Sequence, residues 1–234
     1  MNQFHFKKFS VYQIDEVHKV GTDAMLLGAF AEVTNPKNIL DIGTGTGVLG
    51  LMLAQKYPNA NISAIDNNES AYKLAKSNLE SFIDKSQLKV LCTDFLSLSD
   101  KTRYDLVISN PPFYRNAKKS PVENRNTARH EVFLPFKSLF SKVKTVLTSN
   151  GVFWIIFPFE NQQEIMLYAS ENNLSPINQI QINGKPNHPV RYIMSFELTK
   201  PEKVNKSLFT IRDDKGKYTS EYLQLTKEFH GKAL

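Results

Sequence analysis

An α/β architecture around a mostly parallel sheet is expected for this chain on three grounds. Short apolar runs alternate with helix-length periodic segments. A triple-glycine turn follows the first of those runs. Acids or amides stand where the next runs end. At 234 residues the chain fits a single domain of residues 1–234 and is long enough to bury a sizeable core.

Asn38-Ile-Leu-Asp-Ile42 reads as the first strand, and a helix from Val48 to Lys56 is closed by Tyr57-Pro58. Asn61 to Asp66 is a second strand, followed by a helix over Glu69 to Ser81. Leu88 to Cys92 and Tyr104 to Ser109 are the third and fourth strands. After a long polar loop, Pro135 opens a helix that runs to Leu147, as proline favours a first turn. Val152-Phe-Trp-Ile-Ile-Phe157 is apolar throughout and should be buried on both faces. A helix over Gln162 to Asn172 leads to strands near Ile177–Ile182 and Val190–Leu198, with Asn183-Gly184-Lys-Pro as their turn. With no helix between them, those two strands form an antiparallel hairpin at the sheet edge. Residues 1–35 carry an aromatic alternating stretch and an apolar helix, Asp23 to Ala31, ahead of a core at 36–200. Residues 201–234 form a basic extension with a strand-like piece at Leu208 to Ile211 and a helix from Ser220 to Phe229.

A net charge of +6 favours an anionic partner or simple solubility in equal measure. The one cysteine, Cys92, excludes a disulfide framework and a cysteine zinc site, and it ends a strand where a core position is expected. The five histidines lack ligand spacing, so no metal is expected. No secretory leader and no apolar run near eighteen residues appear, so a cytoplasmic setting without membrane contact is expected.

Asp41-Ile-Gly-Thr-Gly-Thr-Gly47 sits where a strand turns into a helix, and Gly43, Gly45 and Gly47 let a ligand approach the backbone. Asp66 ends the second strand, where an acid grips ribose hydroxyls, and Asp94 follows the third, where it accepts from an adenine amino group. A dinucleotide site would bring a pyrophosphate against these carboxylates. The rim suits S-adenosylmethionine, which carries an ammonium and a sulfonium and no phosphate.

Asn110-Pro111-Pro112-Phe113 follows the fourth strand and belongs on the same edge. The Asn110 side-chain oxygen and the Pro111 main-chain carbonyl are two acceptors for the two hydrogens of an NH2 group. The prolines restrict the loop, and Phe113 offers a ring to stack on a planar base. The chemistry is methyl transfer to an exocyclic or amide nitrogen, with the carrier open. From Arg115 onward, Lys118, Lys119, Arg125 and Arg129 stand against the single acid Glu123, a loop suited to phosphates flanking a flipped base. Lys203, Lys206, Arg212, Lys215 and Lys217 extend that basic surface. Trp154 reads as core and His130 as a surface residue.

These motifs resemble the class I S-adenosylmethionine-dependent methyltransferases with an Asn-Pro-Pro-Phe/Tyr signature, over nearly the whole chain. His18-Lys-Val-Gly-Thr-Asp23 with Leu26-Leu27-Gly28, the segment Arg125 to His130, and the tail Tyr218-Thr-Ser-Glu-Tyr222 with Leu225-Thr-Lys-Glu-Phe229 resemble bacterial tRNA(Val) adenine-37-N6 methyltransferases. The resemblance implies a Rossmann-like, mostly parallel seven-stranded sheet, a cytoplasmic enzyme, a tRNA substrate and a monomer. It implies that Asp41, Gly43, Thr44, Gly45, Asp66, Asn67, Asp94, Phe95 and Asn110 bind the cofactor, with Lys19, Gly21, Thr22 and Asp23 covering its amino-acid end. Asn110, Pro111, Pro112 and Phe113 would hold the target base, and Phe113, Tyr114, Arg115, Lys118, Lys119, Arg125 and Arg129 the RNA. Phenylalanine at position 113 also suits guanine-N2 (or adenine-N6) rRNA enzymes. Glutamine-N5 methylation of a protein is the further alternative, although only about thirty-five residues precede the first strand, too few for a separate amino-terminal domain.

Overall fold

The computed structural model describes residues 2–112 and 134–230. An amino-terminal hairpin pairs β1 (Asn2–His5) with β2 (Ser10–Gln13), and α1 (Thr22–Phe30) follows. The core then runs β3 (Asn38–Ile42), α2 (Val48–Lys56), β4 (Asn61–Asp66), α3 (Glu69–Glu80), β5 (Leu88–Cys92) and β6 (Tyr104–Ser109). After it come α4 (Phe136–Val146), β7 (Leu147–Pro158), α5 (Gln162–Glu171), β8 (Ser175–Lys185), β9 (His188–Glu197), β10 (Asn205–Thr210) and α6 (Ser220–Thr226).

The main sheet has the order β10-β8-β9-β7-β6-β3-β4-β5. β9 alone runs antiparallel to its neighbours, β7 and β8. The mostly parallel Rossmann-like sheet and its hairpin stand as expected. An eighth strand is added because β10 pairs in parallel with β8 outside the hairpin.

Both faces of the sheet are covered, which is why its central strands read as continuous apolar runs. Ile39, Ile62, Leu106, Ile108, Trp154 and Ile156 face a core shared with α1, α2, α3 and α6. Leu40, Ile42, Ile65, Val107, Phe153 and Ile155 face another shared with α4 and α5. α2 is apolar all round because α1, α3 and the sheet enclose it. Trp154 is core, as expected, and its Nε1–H donates to the Glu32 carbonyl at 3.1 Å.

Two local expectations change. Asn183 and Gly184 continue β8, and the hairpin turns instead at Pro186-Asn187, where Asn187 takes a positive φ of 60°. Cys92 is exposed rather than core, because among the described residues β5 is the outer strand, with a neighbour on one side only.

Candidate functional site

The site is assembled at the carboxyl edge of the parallel strands. β3 ends in a loop where Gly43, Gly45 and Gly47 have φ of 68°, 55° and 81°, a region that penalises any side chain with a Cβ. The Gly43 and Thr44 amides both donate to the Ile65 carbonyl, at 2.9 and 3.0 Å, folding the loop over the end of β4. A Cβ at Gly43 would meet nothing within 4 Å, so the backbone there is open to a ligand.

Asp41 lies beneath this loop with no exposure. Its Oδ2 accepts from the Thr44 hydroxyl at 2.6 Å and the Gly50 amide at 3.2 Å. Its Oδ1 is buried without a hydrogen-bond partner among the described residues. Burial pushes the carboxyl up to about 7; the Thr44 and Gly50 hydrogen bonds oppose that shift, and the nearby Asp66 charge adds to it. A buried acceptor left open, under a loop open to ligand, fits a cationic amino-acid end.

Asp66 bridges two elements: its Oδ2 accepts from the Gly45 amide at 3.0 Å and its Oδ1 from the Asn68 amide at 2.9 Å. Asn67 is exposed beside it, and the Asn68 side chain caps α3 by accepting from the Ala71 amide. Asp94 caps the one-turn helix Phe95–Ser97 by accepting from the Leu96 amide at 3.0 Å. The Phe95 ring is buried in the α4–α5 core. Asp41, Asp66 and Asp94 thus rim three adjacent strands, about 4.8 Å from strand to strand.

The amino-terminal segment lies against the same loop. Val17 packs with Ala71 and Leu74 of α3, and its Cγ1 comes within 4.0 Å of where a Gly45 Cβ would stand. Gln13, nearly buried, closes the segment by accepting from the Val20 amide at 2.8 Å. Lys19 pairs with Asp15 at 2.8 Å on the surface, holding the Asp15 carboxyl below its usual range. Gly21 stands at the start of α1 in extended conformation, and Thr22 is exposed beside it. Asp23 pairs with the Arg191 Nε of β9 at 2.9 Å.

Ser109, the last residue of β6, pairs with Ile42 and donates its hydroxyl to the Ile42 carbonyl at 3.1 Å. Asn110 therefore emerges beside Gly43. It is half-buried, followed by buried Pro111 and exposed Pro112. Its carboxamide makes no hydrogen bond with the described residues. Phe113, Tyr114, Arg115, Lys118, Lys119, Arg125, Arg129 and His130 lie outside the described residues. Among the described residues, no group of three or more His, Cys, Asp or Glu is placed to hold a metal ion, and no helix is long and apolar enough to cross a membrane.

Sequence reasoning missed the supports of this site: Gln13, Asn78, Ser109 and Arg191. One carried a local signal, since Asn78 interrupts the apolar stripe Ala71, Leu74, Ala75, Leu79 of α3. The partners of the others are set only by tertiary structure.

The methyltransferase small domain family matches residues 6–181. A tRNA1(Val) (adenine(37)-N6)-methyltransferase of Flavobacteriaceae bacterium strain 3519-10 is 40% identical, covering 98% of this chain and 99% of its own. One of the same name from Phocaeicola vulgatus is 37% identical, covering 97% of each chain. Among solved structures, a predicted O-methyltransferase from Agrobacterium tumefaciens superimposes with a TM-score of 0.66 at 18% identity, over 88% of this chain and 96% of that one. A putative RNA methyltransferase from Pyrococcus horikoshii gives 0.53 at 19% identity, over 77% and 81%. The glycine–acid rim, the Asn-Pro-Pro segment beside it and near-full-length likeness converge: the chain belongs to the methyltransferase small domain family, among the relatives named tRNA1(Val) (adenine(37)-N6)-methyltransferase.

Proposed function

We propose that this S-adenosylmethionine-dependent methyltransferase acts on the exocyclic N6 of adenosine 37 in tRNA(Val). The observation that carries the reading is the emergence of Asn110, with an uncommitted carboxamide, next to Gly43 through the Ile42–Ser109 pairing. The names of its near-full-length relatives supply the acceptor.

When bound, S-adenosylmethionine supplies a methyl group on a positively charged sulfur that is already a good leaving group. Asp41 offers its open Oδ1 to the ammonium end, and the open backbone at Gly43 admits the ligand. Asp66 and Asp94 offer carboxylate oxygens for the ribose hydroxyls and the adenine amino group. Asn110 Oδ1 accepts one hydrogen of the target amino group and the Pro111 carbonyl accepts the other. Holding both hydrogens turns the nitrogen lone pair toward the methyl carbon. Such orientation of a two-reactant step is worth several kcal/mol, roughly 7–11 in the best-oriented cases. No strong base is required, since the methylated amine sheds its proton readily to water. Phe113 stacks on the base, and the basic residues from Arg115 to Arg129 hold flanking phosphates. The same reading takes residues 1–234 as one methyltransferase domain that works as a cytoplasmic monomer.

Unmodified tRNA(Val), incubated with labelled S-adenosylmethionine and digested to nucleosides for mass spectrometry, should yield N6-methyladenosine at position 37. Label appearing only in rRNA guanine, or only in a release-factor glutamine, overturns the assignment.

A further inference from the structure

We propose that the tip of the β8–β9 hairpin and the turn after β10 form a second docking surface for the RNA backbone, made of Lys185, Lys215 and Lys217. The inference rests on the tRNA reading above and adds to it where the body of the substrate lies.

Topology brings these residues to the catalytic edge. β10 runs parallel to β8 from Asn205 opposite Asn178 to Thr210 opposite Asn183. The ladder continues past the strand, with the Ile211 amide donating to the Asn183 carbonyl at 2.9 Å and the Arg212 amide to the Gly184 carbonyl at 3.2 Å. The turn over 212–218 is thereby laid against the hairpin tip at 185–188. Both stand at the edge where β6 delivers Asn110.

The charge at this corner is unbalanced. Lys185, Lys215 and Lys217 are exposed and make no ion pair with the described residues. Four cations, Lys185, Lys215, Lys217 and Arg212, outnumber the two neighbouring acids, of which Asp213 keeps its charge but is tied into the turn. Its carboxylate accepts from the Lys217 amide at 2.8 Å and its carbonyl from the Gly216 amide at 3.0 Å. Asp214 is the exposed acid that remains in the segment.

The turn is also held in shape. The Arg212 guanidinium lies 4.0 Å from the Tyr218 ring centre and donates to the Gly216 carbonyl at 2.7 Å. Tyr218 stacks in turn on Tyr222 of α6, with centres 4.4 Å apart. Thr219 donates its hydroxyl to the Thr210 carbonyl at 2.6 Å. Lysines on a fixed turn lose less freedom when they meet an anion than lysines on a loose one.

The distance fits an extended substrate. Four strand spacings separate β6 from β10, about 19 Å in all. An RNA helix spaces its phosphates more closely along the axis than the roughly 3.4 Å of B-form DNA, so that reach covers at least about five or six nucleotides. The surface would meet a stem adjoining the reactive loop rather than the loop itself. Lys203 and Lys206 do not share it, contrary to the expectation from composition. They precede or open β10, where Lys206 pairs with Gln179, about 20 Å along the strand direction from Arg212.

That separation provides the control. The triple variant Lys185→Glu/Lys215→Glu/Lys217→Glu is compared with Lys200→Glu/Lys203→Glu/Lys206→Glu, which changes net charge equally at the opposite end of the sheet. The first should raise KM for full-length tRNA at least ten-fold and reduce the salt slope of tRNA binding by about 2 to 3. Its affinity for S-adenosylmethionine and its melting temperature should match wild type, and the second triple should stay within two-fold of wild type for tRNA. Equal weakening in both triples, or none in either, overturns the proposal. A wild-type chain that methylates no tRNA removes the parent reading instead, before any variant is made.

Discussion

The side-chain amide of Asn78 donates to the Thr46 carbonyl at 2.8 Å from a position with no solvent exposure. It also donates to the Tyr12 carbonyl and accepts from the Tyr12 amide, each at 3.0 Å. One side chain on α3 thus joins the glycine loop to β2, from which the segment over that loop departs. Asn78→Leu keeps the branched outline, adds some volume and strands three backbone groups. With about 1–3 kcal/mol for each buried group left unpaired and some relaxation, we expect a loss of roughly 2–4 kcal/mol in denaturant melts. Calorimetric titration should also show weaker cofactor binding at a temperature where the variant is folded. Unchanged affinity would mean that the loop holds its shape without Asn78.

Asp41 should give the protein a distinctive pH dependence. Its carboxyl is raised in the folded state to about 7 from an ordinary value of 3.8, burial being the main cause. The folded form therefore keeps a proton that the unfolded form has shed. The stabilisation is complete below the unfolded value and is lost as pH rises through about 7. The loss is on the order of a few kcal/mol. Asp41→Asn cannot titrate, so its stability curve between pH 4 and 7 should be flatter by about one proton. Above pH 7, where the wild-type carboxyl is ionised, the same variant should bind S-adenosylmethionine more weakly, since an amide offers the ammonium end no negative charge. A slope identical to wild type assigns the proton to another group.

Asp23 and Arg191 are 168 residues apart in sequence and half-buried, and their contact ties the first turn of α1 to β9. Exposed pairs contribute about 0–1 kcal/mol, and breaking a buried one costs about 3–5. A double-mutant cycle of Asp23→Asn and Arg191→Gln should give a coupling near 1 kcal/mol. A coupling indistinguishable from zero would leave α1 held by its apolar face and by Lys56, whose Nζ donates to the Ala29 and Ala31 carbonyls.

The parts of this molecule legible in sequence are those whose signal is local. Short, mainly apolar runs bounded by turn residues or acids mark β3, β4, β5 and β6, whose bounds are as expected. Asn183-Gly184 misled because turn-prone residues were outvoted by pairing across the hairpin, which carries the turn on to Asn187. β10 was visible as a strand, but its place beside β8 depends on a partner some thirty residues away. The acids and glycines of the site declare themselves by type. The residues that aim them, Asn78, Ser109 and Arg191, do so through contacts made by the fold.

Asn110 provides the sharpest separation of binding from chemistry. It is half-buried, and its carboxamide is not engaged by the described residues, so its removal should cost little stability, within about 0.5–1 kcal/mol. Asn110→Ala deletes one of the two acceptors proposed to hold the amino group, and loss of one positioned group commonly costs 100-fold or more in kcat. Turnover on tRNA should therefore fall at least a hundred-fold, while affinity for S-adenosylmethionine stays within a few-fold of wild type. Asn110→Asp keeps an acceptor oxygen in the same place, so it should recover a measurable part of the rate. If the aspartate variant is as inactive as the alanine one while both bind cofactor normally, accepting a hydrogen is not what Asn110 does.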